Sequence, residues 1–358
     1  MSKEDNIIYR LTNGDVIRKY DRALVACLSG NRKVLSTAAH NGGYRENLRF
    51  VFNQDCKHEN GELKAATYAE HMAIATRELG LDPGSACGMS TAACMDNVAI
   101  KAMNYADTTV TAVVTGGIEI NGGRVGDQAD WHEAEGQFVN VSGTINILLL
   151  IDADLAEGAM ARAMVTCTEA KTAAIQELLA PSCYSSGIAT GSGTDGTIII
   201  ANADSPVKLS AAGKHCKLGE LIGRTVMAAV KEALYLQTGL CPVSQFNIFN
   251  RLGRFGLKQE MVKAAIGGQS DADRFSKKLA QLAIDPDLVV ATSLYAHLLD
   301  QLQWQLISAQ QIRKPAIRLL SSMGMTAVEI DEESDSQKMI KSMVDAYAKG
   351  LGHLVRAL

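Results

Sequence analysis

An α/β (α+β) layered domain with a mixed sheet over residues 1–243, followed by an all-α region over 244–358, is the fold this sequence predicts, and three patterns carry it. Two runs of strand length and near-continuous apolar character, 144–151 and 197–201, read as strands covered on both faces. Between them Ala156, Met160, Ala163, Cys167, Ala170, Ala174 and Leu178 recur at intervals of three and four, as on one face of a helix. Beyond Gly239-Leu240-Cys241-Pro242 the strand signal fades and helix-forming composition takes over.

Taken in order, Ala23-Leu24-Val25-Ala26-Cys27-Leu28 and Val34-Leu35, separated by Ser29-Gly30-Asn31, read as a hairpin-like pair of strands. The second runs into Ser36-Thr37-Ala38-Ala39-His40-Asn41-Gly42-Gly43, where a glycine turn delivers polar side chains. Residues 64–79 and 90–103 have helical spacing, and 110–114 reads as a strand ending at Thr115-Gly116-Gly117. After the run at 144–151, Asp154 with Glu157 resembles a capping box with aspartate in the cap role.

The segment Thr190-Gly191-Ser192-Gly193-Thr194-Asp195-Gly196 formally satisfies a G-x-G-x-x-G spacing. A strand follows it, whereas a dinucleotide fingerprint must open a helix whose N-terminus holds the pyrophosphate, so it reads instead as a polar edge at a strand entrance. Thr91, Ala99, Ile100, Thr115 and Gly116 recur as Thr166, Ala174, Ile175, Thr190 and Gly191 at an offset of 75, an echo of two helix-then-loop units whose loops would face one another.

Residues 218–236 read as a helix, and segments near 258–266, 273–283, 288–309 and 336–358 are helical in composition. In the last, Ile340, Val344, Tyr347, Leu351, Leu354 and Leu358 alternate four and three, a seam that would pack on the preceding domain or pair with another copy of itself. Assembly into a homo-oligomer is therefore expected through the C-terminal helices.

With 358 residues and 47% apolar content the chain can bury a sizeable core, and its length suits about two domains. A net charge of −4 with no strongly basic half argues against a nucleic-acid partner. The start Met1-Ser2-Lys3-Glu4-Asp5-Asn6 lacks a charged region leading into an apolar stretch, and no apolar run is long enough to span a bilayer, so no membrane partner and a cytoplasmic location are expected. Eight cysteines without C-x-x-C pairs fit reduced core thiols. Glu70-His71 and His132-Glu133 do not extend to the H-E-x-x-H spacing, and no protein-bound metal is expected.

Polar residues gather on short glycine-bounded segments: Ser36, Thr37, His40 and Asn41; Thr115, Glu119, Asn121 and Asp127; Thr144 and Asn146; Thr166, Thr168 and Glu169; Thr190, Thr194 and Asp195; Lys214 and His215. Hydroxyl nucleophiles, amide donors and carboxylate or imidazole bases suit polar recognition and acyl chemistry.

Between about residues 20 and 240 several motifs stand in order: Leu35-Ser36-Thr37 with Asn41-Gly42-Gly43; 110–117 with Gly126-Asp127; Gly143-Thr144-Ile145-Asn146; Thr168-Glu169-Ala170-Lys171-Thr172-Ala173-Ala174; Ala189-Thr190 through Gly196; and Ala212-Gly213-Lys214-His215 with Leu218-Gly219. This succession resembles the adenosylcobinamide amidohydrolases of corrinoid salvage. The loop Ile118-Glu119-Ile120-Asn121-Gly122-Gly123 departs from the family pattern, and the tail beyond residue 243 lies outside the usual family domain. The resemblance implies a small-molecule corrinoid substrate and hydrolysis of the amide joining its aminopropanol arm to the ring. It implies no separate cofactor, because the substrate carries its own cobalt. A corrinoid-binding protein without chemistry, or an amidase acting on another small amide, are the alternatives.

The family supplies no established triad, so catalytic roles rest on placement. Thr144 follows Gly143 and begins a buried strand, which makes it the candidate nucleophile, and Asn146 falls on the same side as a donor to the oxyanion. Asp195 or Glu169 would orient the nucleophile or accept its proton, with His215 as acid/base; attack by a water activated by Asp195 or Glu169 is the other version. Self-cleavage between Gly143 and Thr144 also stays open. Candidate substrate contacts are Ser36, Thr37, Asn41, Gly42, Thr115, Asn121, Asn146, Thr190, Gly191 and Thr194. All of this requires the glycine-flanked turns that bear Asn41, Thr144 and Asp195 to converge.

Overall fold

Ile145–Ile151 is buried at every position, as a continuous apolar run of strand length demands. In the computed structural model, which describes residues 6–56, 63–129, 143–265, 272–326 and 328–357, this strand lies at the heart of the first of two units. The units are Met1–Cys241 and Pro242–Leu358.

The first unit holds two main sheets. Strands β1 (Ile7–Arg10), β2 (Val16–Lys19), β3 (Ala23–Cys27), β6 (Phe50–Asp55) and β7 (Ala86–Thr91) pair in that order. The other sheet runs β5 (Gly43–Arg45), β4 (Arg32–Ser36), β14 (Gly196–Asn202), β11 (Ile145–Ile151), β9 (Thr108–Gly116), β8 (Ala99–Tyr105). It is mixed, because β11 is parallel to β14 and antiparallel to β9. Two short ladders complete the unit: β10 (Gly122–Gly123) with β13 (Gly191–Ser192), and β12 (Asp154–Leu155) with β15 (Lys208–Leu209).

Alternation along the strands fixes the layers. Ile145, Ile147 and Leu149 of β11 face Ala163, Cys167 and Ala174 of helix α2 (Glu157–Glu177) and Ile222, Val226 and Leu234 of α3 (Lys217–Thr238). Leu148 and Leu150 face the other way, against Leu24, Val51 and Met89 of the five-stranded sheet. That sheet's outer face, with Val25 and Phe52, is covered by Met72 of α1 (Tyr68–Glu78), whose N-terminus is closed by a Thr67/Glu70 capping box. The result is helix, sheet, sheet, helix: the layered α/β domain the sequence predicts.

Several local expectations change. β3 and β4 are both strands, but β3 pairs with β2 and β6 while β4 pairs with β5 and β14, so the two do not form a hairpin. The Ser29-Gly30-Asn31 segment carries the chain from one sheet to the other, anchored where Asp204 accepts from the Asn31 backbone and side chain at 2.7 and 2.8 Å. Residues 90–103 are not a helix: β7 ends in them, Met95–Asn97 makes a 3-10 turn, and β8 begins. Ala, Met and Lys suit a helix in isolation, but full pairing with β9 overrides that preference. The echo at an offset of 75 is therefore not a structural repeat. Asp154 does not cap α2, whose N-cap is Ala156; its carboxylate accepts from Lys33 at 2.6 Å instead.

The chain crossing is pinned by charge. Arg32 and Asp15, 2% and 0% exposed, share a two-point ion pair at 2.9 Å through each arm, and Asn202 accepts a further bond from Arg32 at 2.7 Å. Removing one partner leaves the other buried and uncompensated, so Asp15→Asn is expected to cost about 3–5 kcal/mol, measured as the shift in urea unfolding.

The second unit is helical among its described residues: α4 (Ile248–Leu252), α5 (Gln259–Ala264), α6 (Ala272–Ala283), α7 (Pro286–Gln303), α8 (Ala309–Ser322) and α9 (Ser336–Ala357). Its own core gathers Val289, Tyr295, Leu299, Ile312, Leu320, Met343 and Tyr347, with Arg254 clamped on Asp300 at 2.5 and 2.6 Å. Helix α8 escapes the sequence reading because Pro315 interrupts its pattern. The α9 seam of Ile340, Val344, Tyr347 and Leu351 is buried inside this core, rather than held out for the preceding domain or a second copy. Leu354 is half-buried, and Leu358 lies outside the described residues. Among the described residues no single helix is long and apolar enough to cross a membrane.

All eight cysteines are free thiols. Cys87 and Cys167 are fully buried, and burial pushes the Cys167 thiol up to about 12.

Candidate functional site

At the end of the sandwich where β11 and β14 begin and β6, β7 and β9 finish, the layer between the sheets turns from apolar to polar. Asn146 lies on the same face of β11 as Leu148, 2% exposed, and its amide donates to Asn53 Oδ1 of β6 at 2.7 Å and to Ser90 O of β7 at 2.9 Å. Its Oδ1 accepts from the Gly196 N–H at 3.1 Å, and Asn53 in turn donates to Thr115 Oγ1 of β9 at 2.7 Å. Five strands from both sheets thus meet through one chain of hydrogen bonds.

Thr144 stands at the head of this chain, 3% exposed. Its hydroxyl donates to Thr194 O at 2.6 Å, with Asn146 Oδ1 at 3.5 Å. The Gly143 carbonyl just before it accepts from Asn121 Nδ2 at 3.0 Å and from Thr194 Oγ1 at 2.9 Å. Asn121 is held by the Tyr184 hydroxyl, which donates to its Oδ1 at 2.8 Å.

Asp195 ties the glycine-rich turn to the strand. Its carboxylate accepts from Ile145 N at 2.8 Å, Ser192 Oγ at 2.7 Å and Ser192 N at 3.0 Å, and pairs with Lys171 of α2. The Gly191 backbone passes so close that a Cβ there would crowd Asp195 Oδ2 and Lys171 Nζ and push that pair aside. Gly191 and Ser192 pair with Gly123 and Gly122, so the turns after β9 and before β14 do meet. Thr190 reinforces that junction, accepting from Val125 N at 2.9 Å while its own carbonyl takes Thr172 Oγ1 at 3.1 Å.

Thr144, Asn146, Asp195, Thr115, Asn121, Thr190, Gly191 and Thr194 are therefore brought into one cluster, with hydroxyls and amides largely occupied by one another. Ser36 and Thr37 border it. Ser36 Oγ accepts from Ala38 N and Cys87 Sγ, and Thr37 Oγ1 exchanges bonds with Thr197 O and N. Asn41 and Gly42 do not join the cluster: the Asn41 amide donates to Pro83 O and Ala86 O at the other end of β7 from Ser90, so of the three turns expected to converge only those of Thr144 and Asp195 do.

Glu169 and His215 do not join the cluster. Two residues apart on α2, Glu169 and Lys171 point about 160° apart, and Lys171 is the one turned toward Asp195. Glu169 is exposed and pairs with Lys214 and Arg162, while His215 is exposed beside that lysine. Neither group supplies a base to Thr144. Asn146 also cannot serve as an oxyanion donor, since both of its amide hydrogens have partners inside the protein. His132 and Glu133 lie outside the described residues.

Asn53 and Lys171 are cluster members that the sequence reading did not select. Lys171 carries a visible signal, because it stands four residues after Cys167 and three before Ala174, a cation on the apolar face of its helix. Nothing in the Phe50–Asp55 strand marks Asn53 beforehand.

Asp127 secures the neighbouring turn. Burial pushes its carboxyl up, but bonds from Ser182 at 2.6 Å, Ser185 and the Arg124 N–H at 2.8 Å outweigh it and hold the group below its ordinary value. A lowered folded value gives stability that is complete above the unfolded carboxylate pKa of about 3.9 and fades as pH falls through the folded value. Asp127→Asn is expected to remove that acid-dependent part of the loss, read from thermal melts between about pH 2 and 6.

Comparison with known proteins places these residues in context. Residues 8–242 match the family model described as "Adenosylcobinamide amidohydrolase". An uncharacterized protein of Methanocaldococcus jannaschii, MJ1613, is 34% identical over 228 residues, covering 60% of this chain and 87% of that one. Among solved structures, the PH0078 protein from Pyrococcus horikoshii OT3 is similar with a TM-score of 0.28 and 11% identity over 65% of this chain and 81% of that chain.

Proposed function

The chain belongs to the adenosylcobinamide amidohydrolase family, and from that premise we propose that it hydrolyses adenosylcobinamide to adenosylcobyric acid and aminopropanol. The observation that carries the reading is the convergence of the 121–123, 143–146 and 190–196 turns on Thr144 within the matched region. Amide hydrolysis needs an attacking oxygen, donors for the carbonyl oxygen, and a route for the proton to the departing amine. Thr144 Oγ1 is the attacking oxygen in this proposal.

The rim supports a substrate with an apolar body and a polar fringe. Ile120 and Val125 are 73% and 82% exposed, and Tyr184 is 45% exposed while anchored through its hydroxyl to Asn121. Apolar surface of this kind beside fixed amides and hydroxyls suits a corrin ring bearing amide side chains. The ring brings its own cobalt, and the proposal assigns the protein no further metal.

Incubation with adenosylcobinamide, followed by mass spectrometry of the products, tests the reading. Stoichiometric aminopropanol and adenosylcobyric acid are the expected outcome. Tight corrinoid binding with no release of aminopropanol would replace the proposal with a corrinoid-binding role.

A further inference from the structure

We propose that the protein cuts its own Gly143–Thr144 peptide bond, so that its working form has Thr144 at a new N-terminus. The inference deepens the proposed function and rests on its assignment of Thr144 as the attacking group.

The Gly143 carbonyl is held as a reacting carbonyl would be. Two side chains from separate loops, Asn121 at 3.0 Å and Thr194 at 2.9 Å, donate to its single oxygen. A carbonyl only accepts, so the Asn121 amide must present its NH2 group to it, and the Tyr184 hydroxyl on Asn121 Oδ1 fixes that orientation. Paired donors preset on one carbonyl oxygen are what stabilise a tetrahedral oxyanion.

The backbone at the bond takes a form open only to glycine. Gly143 has φ of +107°, and a Cβ there would stand 3.1 Å from Asn121 Cβ and 3.2 Å from Gly117 O.

Thr144 itself lacks a partner that its role requires. Among the described residues its hydroxyl reaches only Thr194 O and Asn146 Oδ1, neither of which is a base. Asp195 is committed to Ile145 N, Ser192 and Lys171. A free α-amine on Thr144 would stand beside its own hydroxyl and supply the missing base, as in enzymes with an N-terminal threonine.

The chemistry closes with water as the one co-reactant. Thr144 Oγ1 adds to the Gly143 carbonyl carbon, the C–N bond breaks, and the hydroxyl proton passes to the departing nitrogen, leaving an ester between Gly143 and the Thr144 side chain. Water then hydrolyses the ester, returning the hydroxyl to Thr144 and leaving a carboxylate on Gly143. The two pieces stay joined, because β11 remains paired along both edges and Thr144 O still accepts from Gly117 N at 3.1 Å.

Intact-mass analysis of folded, purified full-length protein under denaturing conditions is the test. Two chains, 1–143 and 144–358, are expected, the second beginning Thr-Ile-Asn-Ile, while native mass spectrometry keeps them together. Thr144→Ala is expected to stay whole and Thr144→Ser to cut. Thr194→Val, which removes one donor, should slow cutting by about 10²–10³-fold. A folded wild-type preparation that consists of one uncut chain overturns the proposal, as does a Thr144→Ala protein cut at the same bond. Aminopropanol release is scored separately: an uncut but active protein sinks this inference alone, and a cut but inactive one supports it while sinking the proposed substrate.

Discussion

Thr144→Ala is expected to reduce aminopropanol release by about 10⁴-fold or more, the scale seen when an attacking side chain is deleted. The fold should survive. The lost hydroxyl makes one hydrogen bond, to Thr194 O, and its removal costs about 1 kcal/mol. The decisive pair of measurements is turnover of adenosylcobinamide and the urea midpoint on the same preparation. Wild-type turnover in this variant would remove Thr144 from the chemistry.

Lys171→Met carries the second large effect, and it acts on both stability and rate. The Lys171 and Asp195 side chains are each 11% exposed, so deleting the ammonium strands a carboxylate in the interior at a cost of about 3–5 kcal/mol. Asp195 also holds Ile145 N and the Ser192 backbone and hydroxyl, so the 191–196 turn should loosen from the head of β11 and kcat should fall with it. Adding Asp195→Asn removes the stranded charge. The double variant is expected to lose less stability than the two single losses combined, as read from a double-mutant cycle in urea. A loss below about 1 kcal/mol for Lys171→Met would show that the pair does not anchor the turn.

The course of the chain was legible where one physical signal dominated. Ile145–Ile151 and the face of α2 announce themselves because burial on both sides, or on one helical stripe, leaves no other arrangement of those residues. β8 did not, because its Ala, Lys and Met residues prefer a helix and only its long-range partner β9 makes it a strand. For the same reason β3 and β4 were each readable, but their separation into two sheets was not.

Within the site, the glycine-flanked turns at 143–146 and 190–196 were visible as breaks in apolar patterning, and they meet. Glu169 and His215 attracted attention by residue type alone, and helix phase and exposure set them apart. Lys171 is marked in the sequence only by its position among alanines and a buried cysteine, unusual for a cation. Asn53 comes from the opposite sheet, and no local pattern in a single strand reports what a second sheet will place against it.

That contribution from the opposite sheet has a mechanical consequence. The amide of Asn53 clasps the amide of Asn146, fastening the two sheets at one register. Slippage by two residues, about 7 Å along a strand, would press the Asn146 amide against Val51 and leave its polar atoms stranded. The sandwich therefore has a single seating, and a substitution in β6 would be felt at Thr144 without touching it.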